Sequence, residues 1–260
     1  MASVNHDHVT VSSLRERWRA GDPTFGAWCT IPSTWTAELA ARSGHDWVCI
    51  DTQHGLIGYE LMLPMLQAIS AGGAPSFVRV PWNEPGTIMK ALDAGAGGVI
   101  VPMVNSVEEA KSAVGACRYS PDGFRSMGPI RARVVDGDWR LPICVVMIET
   151  VQAVERVDEI LAVPGIDAVF VGPSDLAISA GVDSSYDGRD PEHRRLIETI
   201  LRSCQAHGVT AGIMCGSPEV AIQWHTAGFQ MLALGSDSTL LADASRQIIE
   251  RTKALARLAG

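Results

Sequence analysis

Two stretches decide how this chain reads: Ile143-Cys144-Val145-Val146-Met147-Ile148-Glu149-Thr150 and Ala168-Val169-Phe170-Val171-Gly172-Pro173-Ser174-Asp175. Each opens as a short apolar run, the pattern of a strand buried on both faces. Each then reaches a carboxylate. Packing supplies no reason for an acid where a buried strand emerges, and two such acids about one βα unit apart suit convergence on one divalent cation. The competing explanation is helix capping, because an acid just before a helix stabilises its free N–H groups.

The same grammar runs outward in both directions. Strand-like runs are expected at Phe25–Cys29, Trp47–Ile50, Ser76–Val80, Gly98–Val101, Ile143–Ile148, Ala168–Val171, Thr210–Met214 and Met231–Leu234. Stretches of helical period lie between and after them: Thr34–Arg42, Tyr59–Ala71, Glu84–Ala94, Val107–Cys117, Val151–Leu161, Pro191–Ala206, Pro218–Ala227 and Ser238–Leu258. Gly44, Gly73, Gly95, Gly165, Gly208 and Gly228 each fall between a helix and the next strand, where a left-handed stop is needed. Eight strands, each followed by a helix, predict an α/β chain folded as a (β/α)8 TIM barrel, one domain over residues 11–260. An open doubly wound sheet is the alternative, but no glycine-rich dinucleotide turn follows the first strand. Residues 1–10 are polar, with His6 and His8, and are expected to form a flexible tail.

Composition narrows the function classes. A chain of 260 residues with 47% hydrophobic content is normal for one such barrel. A formal net charge of −8 and the lack of a basic run argue against nucleic acid as a partner. No apolar run approaches the roughly 20 residues of a membrane span, and the first residues lack the apolar stretch of a secretory signal, so a cytoplasmic protein without membrane contact is expected. The six cysteines form no CxxC pair and sit mostly in apolar runs, which predicts buried free thiols in a reducing compartment. Arg118 to Leu141 is long for a loop within a compact domain and carries Arg118, Arg125, Arg131, Arg133 and Arg140; it reads as either a functional loop or a solvated excursion.

In a barrel of this kind the C-terminal strand ends share one face. They bring forward Asp51, Gln53 and His54 after the second strand, Arg79 near the end of the third, Glu149 and Asp175 after the fifth and sixth, and Ser236 and Asp237 after the eighth. Two carboxylates completed by water suit Mg²⁺ or Mn²⁺, hard cations that prefer oxygen. Arg79, between Val78 and Val80, needs an anion if buried: a substrate carboxylate or an internal acid such as Asp51. His54 suits proton transfer, or a structural hydrogen bond. Gly172-Pro173-Ser174-Asp175 opens a helix whose free N–H groups are able to hold a carboxylate. Trp82 lines a pocket or packs at its rim.

Read in order, several motifs form a recognisable set. They are Asp51-Thr52-Gln53-His54-Gly55, Val78-Arg79-Val80-Pro81-Trp82-Asn83, Lys90-Ala91-Leu92-Asp93-Ala94-Gly95-Ala96, Val101-Pro102-Met103-Val104, Arg118-Tyr119-Ser120-Pro121-Asp122-Gly123-Phe124-Arg125, Ile148-Glu149-Thr150 and Val171-Gly172-Pro173-Ser174-Asp175-Leu176. Together, from about Phe25 to Ser236, the chain resembles the class II pyruvate aldolases of the 4-hydroxy-2-oxoheptanedioate aldolase (HpcH/HpaI) family. The resemblance implies a barrel that swaps its last helix with a neighbour, in a homo-oligomer, a trimer or hexamer. It implies a divalent metal, Mg²⁺, Mn²⁺ or Co²⁺, held by Glu149 and Asp175 and chelated by pyruvate. It places Arg79 at the keto oxygen, the amides around Gly172, Pro173 and Ser174 on the carboxylate, and Gln53 and Trp82 beside the substrate. His54 would serve proton transfer, oriented by Asp51 or by Asp93; the register puts Asp93 at the barrel's bottom, within reach only of a neighbouring subunit's site.

The implied reaction is reversible cleavage of a 4-hydroxy-2-oxo acid to pyruvate, or a close 2-oxo acid, and an aldehyde. No Schiff-base lysine is expected, since Lys90, Lys111 and Lys253 all fall on helices. Two positions depart from the family pattern: Gln53, where Glu is common, and Met147, where Gln is common. They leave room for a related metal-enolate lyase, acting by 2-oxo acid decarboxylation or on a CoA-linked hydroxy acid, and for a catalytically silent metabolite-binding barrel.

Overall fold

The computed structural model describes residues 10–135 and 139–258. The first helix, α1 (Val11–Ala20), precedes a ring of eight strands: β1 (Thr24–Cys29), β2 (Trp47–Asp51), β3 (Ser76–Arg79), β4 (Gly98–Val101), β5 (Ile143–Ile148), β6 (Ala168–Val171), β7 (Thr210–Met214) and β8 (Met231–Ser236). The helices between them are α2 (Thr34–Arg42), α3 (Tyr59–Gly72), α4 (Pro85–Asp93), α5 (Val107–Cys117), α6 (Val151–Glu155), α7 (Val157–Leu161), α8 (Pro173–Ala180), α9 (Pro191–His207) and α10 (Pro218–Ala227), with α11 (Asp237–Leu258) last. Each strand pairs in parallel with the next, and β8 closes on β1, which removes the open-sheet alternative. The chain is a (β/α)8 TIM barrel.

Strand periodicity separates two cores. Val48, Ile50, Val78, Val99, Val146 and Val169 face the helices, where they pack with residues such as Leu66, Ile88 and Ile197. Their neighbours Trp47, Phe77, Ile100, Val145, Phe170 and Met231 fill the barrel's interior. Large and small residues alternate around that interior: a Cβ on Gly26 would lie 2.2 Å from the Trp47 ring, so the indole occupies the space that only glycine leaves.

Helix α1 has no counterpart among the expected elements. Leu14 and Trp18, one turn apart and both buried, join the interior cluster and close the N-terminal mouth of the barrel. Thr10 and Ser13 form a capping box at its start, and Gly21 (φ 87°) stops it in the left-handed conformation. Arg15 forks onto Asp167 below β6 at 2.8 and 3.1 Å, and Arg17 pairs with Asp46 below β2.

Other differences are local. The helix expected over Val151–Leu161 is two short helices that meet at Arg156 (φ −116°, ψ 12°); nothing in the structure explains the break. The long segment from Arg118 joins α5 to β5, so it lies on the N-terminal face, away from the strand ends that carry the candidate site. Arg118 anchors it there, donating to the carbonyls of Pro142 (2.9 Å) and Gly165 (3.3 Å). Of the expected N-terminal tail only Thr10 is among the described residues. All six cysteines are free and buried. Among the described residues no helix is long and apolar enough to cross a membrane. Helix α11 buries none of its side chains and exposes Leu240, Leu241, Ile248, Ile249 and Leu255.

Candidate active site

Inward parity and strand register bring the candidate residues together. Asp51 and Arg79 are register partners in β2 and β3, and both lie on the inward side of their strands. Glu149, two residues after inward-facing Met147, continues the same parity beyond β5.

Asp51, 1% exposed, accepts five N–H groups. Arg79 forks onto it through Nε (2.9 Å) and Nη2 (2.5 Å), Trp28 donates from its indole nitrogen (3.2 Å), and the backbone amides of Gln53 (3.0 Å) and His54 (3.2 Å) complete the set. Burial alone would raise the Asp51 pKa; Arg79 and the other donors outweigh it and hold the carboxyl below its ordinary range. Burial likewise opposes the charge on Arg79, and Asp51 more than restores it. The internal ion pair left open by the sequence is therefore present, yet Arg79 also lines the cavity at the barrel mouth. Its guanidinium carbon sits 5.1 Å from the Trp28 ring centroid.

Glu149 is 2% exposed and is not a helix cap: Thr150 caps α6, its hydroxyl accepting the Ala153 amide at 3.0 Å. Glu149 Oε1 accepts the N–H of Met103 (2.8 Å), a residue held at φ 55°, where side chains other than glycine are rarely found. Glu149 Oε2 is buried without any hydrogen-bond partner. Burial raises the Glu149 pKa from 4.5 to about 7; the Met103 amide and Arg79 oppose the rise, while the charge of Asp175 adds to it. Asp175 stands in the first turn of α8, whose N-terminus has no side-chain cap, so its leading N–H groups remain open. A Cβ on Gly172 would lie 2.3 Å from Glu149 Oε2, so glycine is required for the carboxylate to lie against this turn.

These groups surround a cavity of about 220 Å³ at the C-terminal end of the barrel. Its polar wall is His54, Arg79, Glu149, Ser174 and Asp175, with Gly172 and Pro173 beside them; its apolar wall is Trp28, Met147, Phe170, Tyr186 and Met214. A buried carboxylate oxygen without a proton donor, facing a second acid, fits a cation with hard-oxygen preference. Among the described residues no three His, Cys, Asp or Glu side chains gather as a fuller cage, so the two acids would act as a pair completed by water or substrate oxygens. A larger apolar cavity of about 620 Å³ lies outside the barrel beside α3 and α4, with neither of these acids nor an imidazole in its walls.

Three expected contacts, those of the His54 ring, Gln53 and Trp82, are not made among the described residues. The His54 ring lines the cavity but makes no hydrogen bond among the described residues; Asp51 holds the backbone of His54, not its imidazole. Asp93 ends α4 on the opposite face, where the register put it, and pairs with the buried Arg125 at 2.6 Å, so it does not reach the cavity of its own chain. Gln53 is not part of the cavity wall. Nor is Trp82, which is 58% exposed because the chain turns outward after Val80; Asn83 ties that turn to α5 by donating to the Glu109 carbonyl (2.9 Å). Trp28, Phe170 and Met214 were legible as inward-facing strand positions but carried no chemical signal; Tyr186, on the connection between α8 and α9, had no signal at all.

The sequence and the fold have counterparts in other proteins. The HpcH/HpaI aldolase/citrate lyase family model matches residues 25–244. The chain is 40% identical over 251 residues to the hydroxypyruvate/pyruvate aldolase of Rhizorhabdus wittichii, across 94% of this chain and 100% of that one. It is 35% identical to the 4-hydroxy-2-oxo-heptane-1,7-dioate aldolase of Salmonella paratyphi B, across 96% and 97% of the two chains. Among solved structures, an HpcH/HpaI aldolase/citrate lyase family protein from Burkholderia cenocepacia superposes with a TM-score of 0.87 at 32% identity, across 93% and 99% of the two chains. With the family match spanning most of the barrel and both relatives aligned along nearly their whole length, the chain belongs to the HpcH/HpaI aldolase/citrate lyase family.

Proposed function

We propose that this chain catalyses reversible aldol cleavage of 4-hydroxy-2-oxo acids to pyruvate, or a close 2-oxo acid, and an aldehyde. It is a carbon–carbon lyase. The observation that carries the reading is the partnerless buried oxygen of Glu149, placed in one cavity with Asp175 and Arg79.

Glu149 and Asp175 would hold a divalent cation, Mg²⁺, Mn²⁺ or Co²⁺. Bound there, it would supply Lewis-acid polarisation of the substrate's keto group. Arg79, fixed by its fork to Asp51, stabilises the negative charge that develops on the C2 oxygen as the C3–C4 bond breaks. The open N–H groups of Ser174 and Asp175 in the first turn of α8, beside Gly172 and Pro173, receive the substrate carboxylate. His54, whose ring is not committed to another residue among those described, takes the C4 hydroxyl proton and returns it in the condensation direction. Asp51 positions this set by holding both the guanidinium and the backbone of His54. Asp93 would act only in a neighbouring subunit's site.

The same reading extends to assembly. A 22-residue helix with no buried side chain calls for a partner surface, and we assign α11 to a swapped position on a second copy in a homo-oligomer, a trimer or hexamer. We assign residues 11–260 to a single catalytic domain. Six free buried thiols suit a reducing, cytoplasmic setting.

Exchange of pyruvate methyl protons with D₂O tests enolate formation without an acceptor. Chelated protein should not exchange, and added Mg²⁺, Mn²⁺ or Co²⁺ should restore exchange. Full exchange after chelation and dialysis would overturn the metal assignment, and no exchange under any of these metals would overturn the aldolase reading.

A further inference from the structure

The cavity is chemically lopsided, and that asymmetry sorts acceptors; the inference rests on the aldolase reading of the same site. Its charged groups already serve the keto-acid end: Arg79 is forked to Asp51, and Glu149 and Asp175 are the candidate metal pair. Arg79 is the only Lys or Arg in the cavity wall among the described residues. An acceptor bearing its own carboxylate would meet no second cation in this chain's part of the wall, since Arg79 is committed to Asp51 and the keto-acid end, and a carboxylate desolvated without a partner is costly. The volume, about 220 Å³, is below the roughly 300–1,000 Å³ typical of ligand pockets and favours short aldehydes.

One group in the apolar wall is able to recognise a polar but uncharged substituent. Tyr186 is 45% exposed, and its hydroxyl has no hydrogen-bond partner among the described residues. Its position is fixed from behind. Trp224 donates to the Tyr186 carbonyl (2.8 Å), Gln223 and Arg194 donate to the Asp187 carbonyl (3.0 and 2.8 Å), and Arg194 also holds the Gly188 carbonyl (3.0 Å). The ring rests against Gly216, where a Cβ would come within 2.6 Å of it. A phenol in a wall otherwise made of Trp28, Phe170, Met147 and Met214 distinguishes a hydroxyl from a methyl, because it both donates and accepts.

We propose that Tyr186 is a specificity-determining residue whose phenol hydroxyl receives a hydroxyl of the acceptor, so that the chain takes short uncharged hydroxyaldehydes in preference to carboxylated ones. The test compares pyruvate addition to glycolaldehyde, acetaldehyde and succinic semialdehyde in the metal-loaded wild type and in Tyr186→Phe. In wild type, kcat/KM should rank glycolaldehyde above acetaldehyde and both above succinic semialdehyde. Tyr186→Phe should lower kcat/KM for glycolaldehyde roughly five- to tenfold, the worth of one uncharged hydrogen bond, and leave acetaldehyde within about twofold. Pyruvate methyl-proton exchange should persist in the variant and fall by less than glycolaldehyde addition does. Equal losses for the two small aldehydes, a wild-type preference for succinic semialdehyde, or loss of exchange in the variant alone would overturn the assignment of Tyr186. Absence of exchange in the wild type would instead overturn the aldolase reading beneath it.

Discussion

Glu149→Gln in metal-free protein should show that the site is built at the expense of stability. The Glu149 carboxyl titrates at 4.5 without its surroundings and at about 7 in the fold, chiefly because it is buried. Between those values the native chain holds a proton that the unfolded chain has released, so stability falls as pH rises through this window. Below it both states are protonated and the group contributes nothing; above it the penalty is complete. At about 1.4 kcal/mol per pH unit, the full penalty is about 3 kcal/mol, most of it developing between pH 5 and pH 8. Glutamine does not titrate, and it keeps an oxygen for the Met103 amide. Any pH-independent cost of the substitution cancels when the two pH values are compared. The difference in melting temperature between variant and wild type, measured with chelator present, should therefore shift in the variant's favour by roughly 5–10 °C from pH 5 to pH 8. Enolate formation should be lost in the same variant. A melting-temperature difference that stays constant across this range, or that moves against the variant, would refute the claim that Glu149 is a buried carboxylate without adequate compensation.

Two further outcomes are expected. Asp51→Asn leaves the Arg79 guanidinium buried without its counter-charge, which should cost about 3–5 kcal/mol in urea unfolding and abolish pyruvate exchange; an unchanged midpoint would show that the pair is not what holds Arg79. Because the Asp51 pKa is held down by Arg79 and its other donors, against the effect of burial, the gap between wild type and this variant should be complete above the ordinary carboxylate range and close only as pH falls through the depressed value. Leu241→Glu combined with Ile248→Glu on α11 should lower the solution mass measured by light scattering to that of smaller species, whereas an unaltered mass would mean that α11 is not an assembly element.

Much of the barrel was legible because its strands are buried on both faces. β4, β5, β6 and β7 begin and end where their apolar runs do. β2 extends one residue further, to Asp51, because that acid pairs in register with Arg79 rather than leaving the sheet. α1 escaped notice because only Leu14 and Trp18 mark its buried face; the Thr10–Ser13 box and the Gly21 stop were present but weak without an apolar stripe. At the site, Glu149 and Asp175 stood out because an acid after a buried run is costly to place. Arg79 stayed ambiguous for a physical reason: the side chain makes the internal ion pair and faces the cavity at once. Trp82 and Gln53 sit in motifs whose chain direction after the strand end cannot be read from residue type. Tyr186 reaches the cavity only through the folding of a loop that carries no periodic pattern.

The central claim is that Glu149 and Asp175 together grip one dication. Manganese titration followed by electron paramagnetic resonance tests it most directly. Wild type should take up one Mn²⁺ per chain, and Glu149→Gln and Asp175→Asn should each lose that binding while remaining folded by circular dichroism. Undiminished Mn²⁺ uptake by either folded variant would contradict the account.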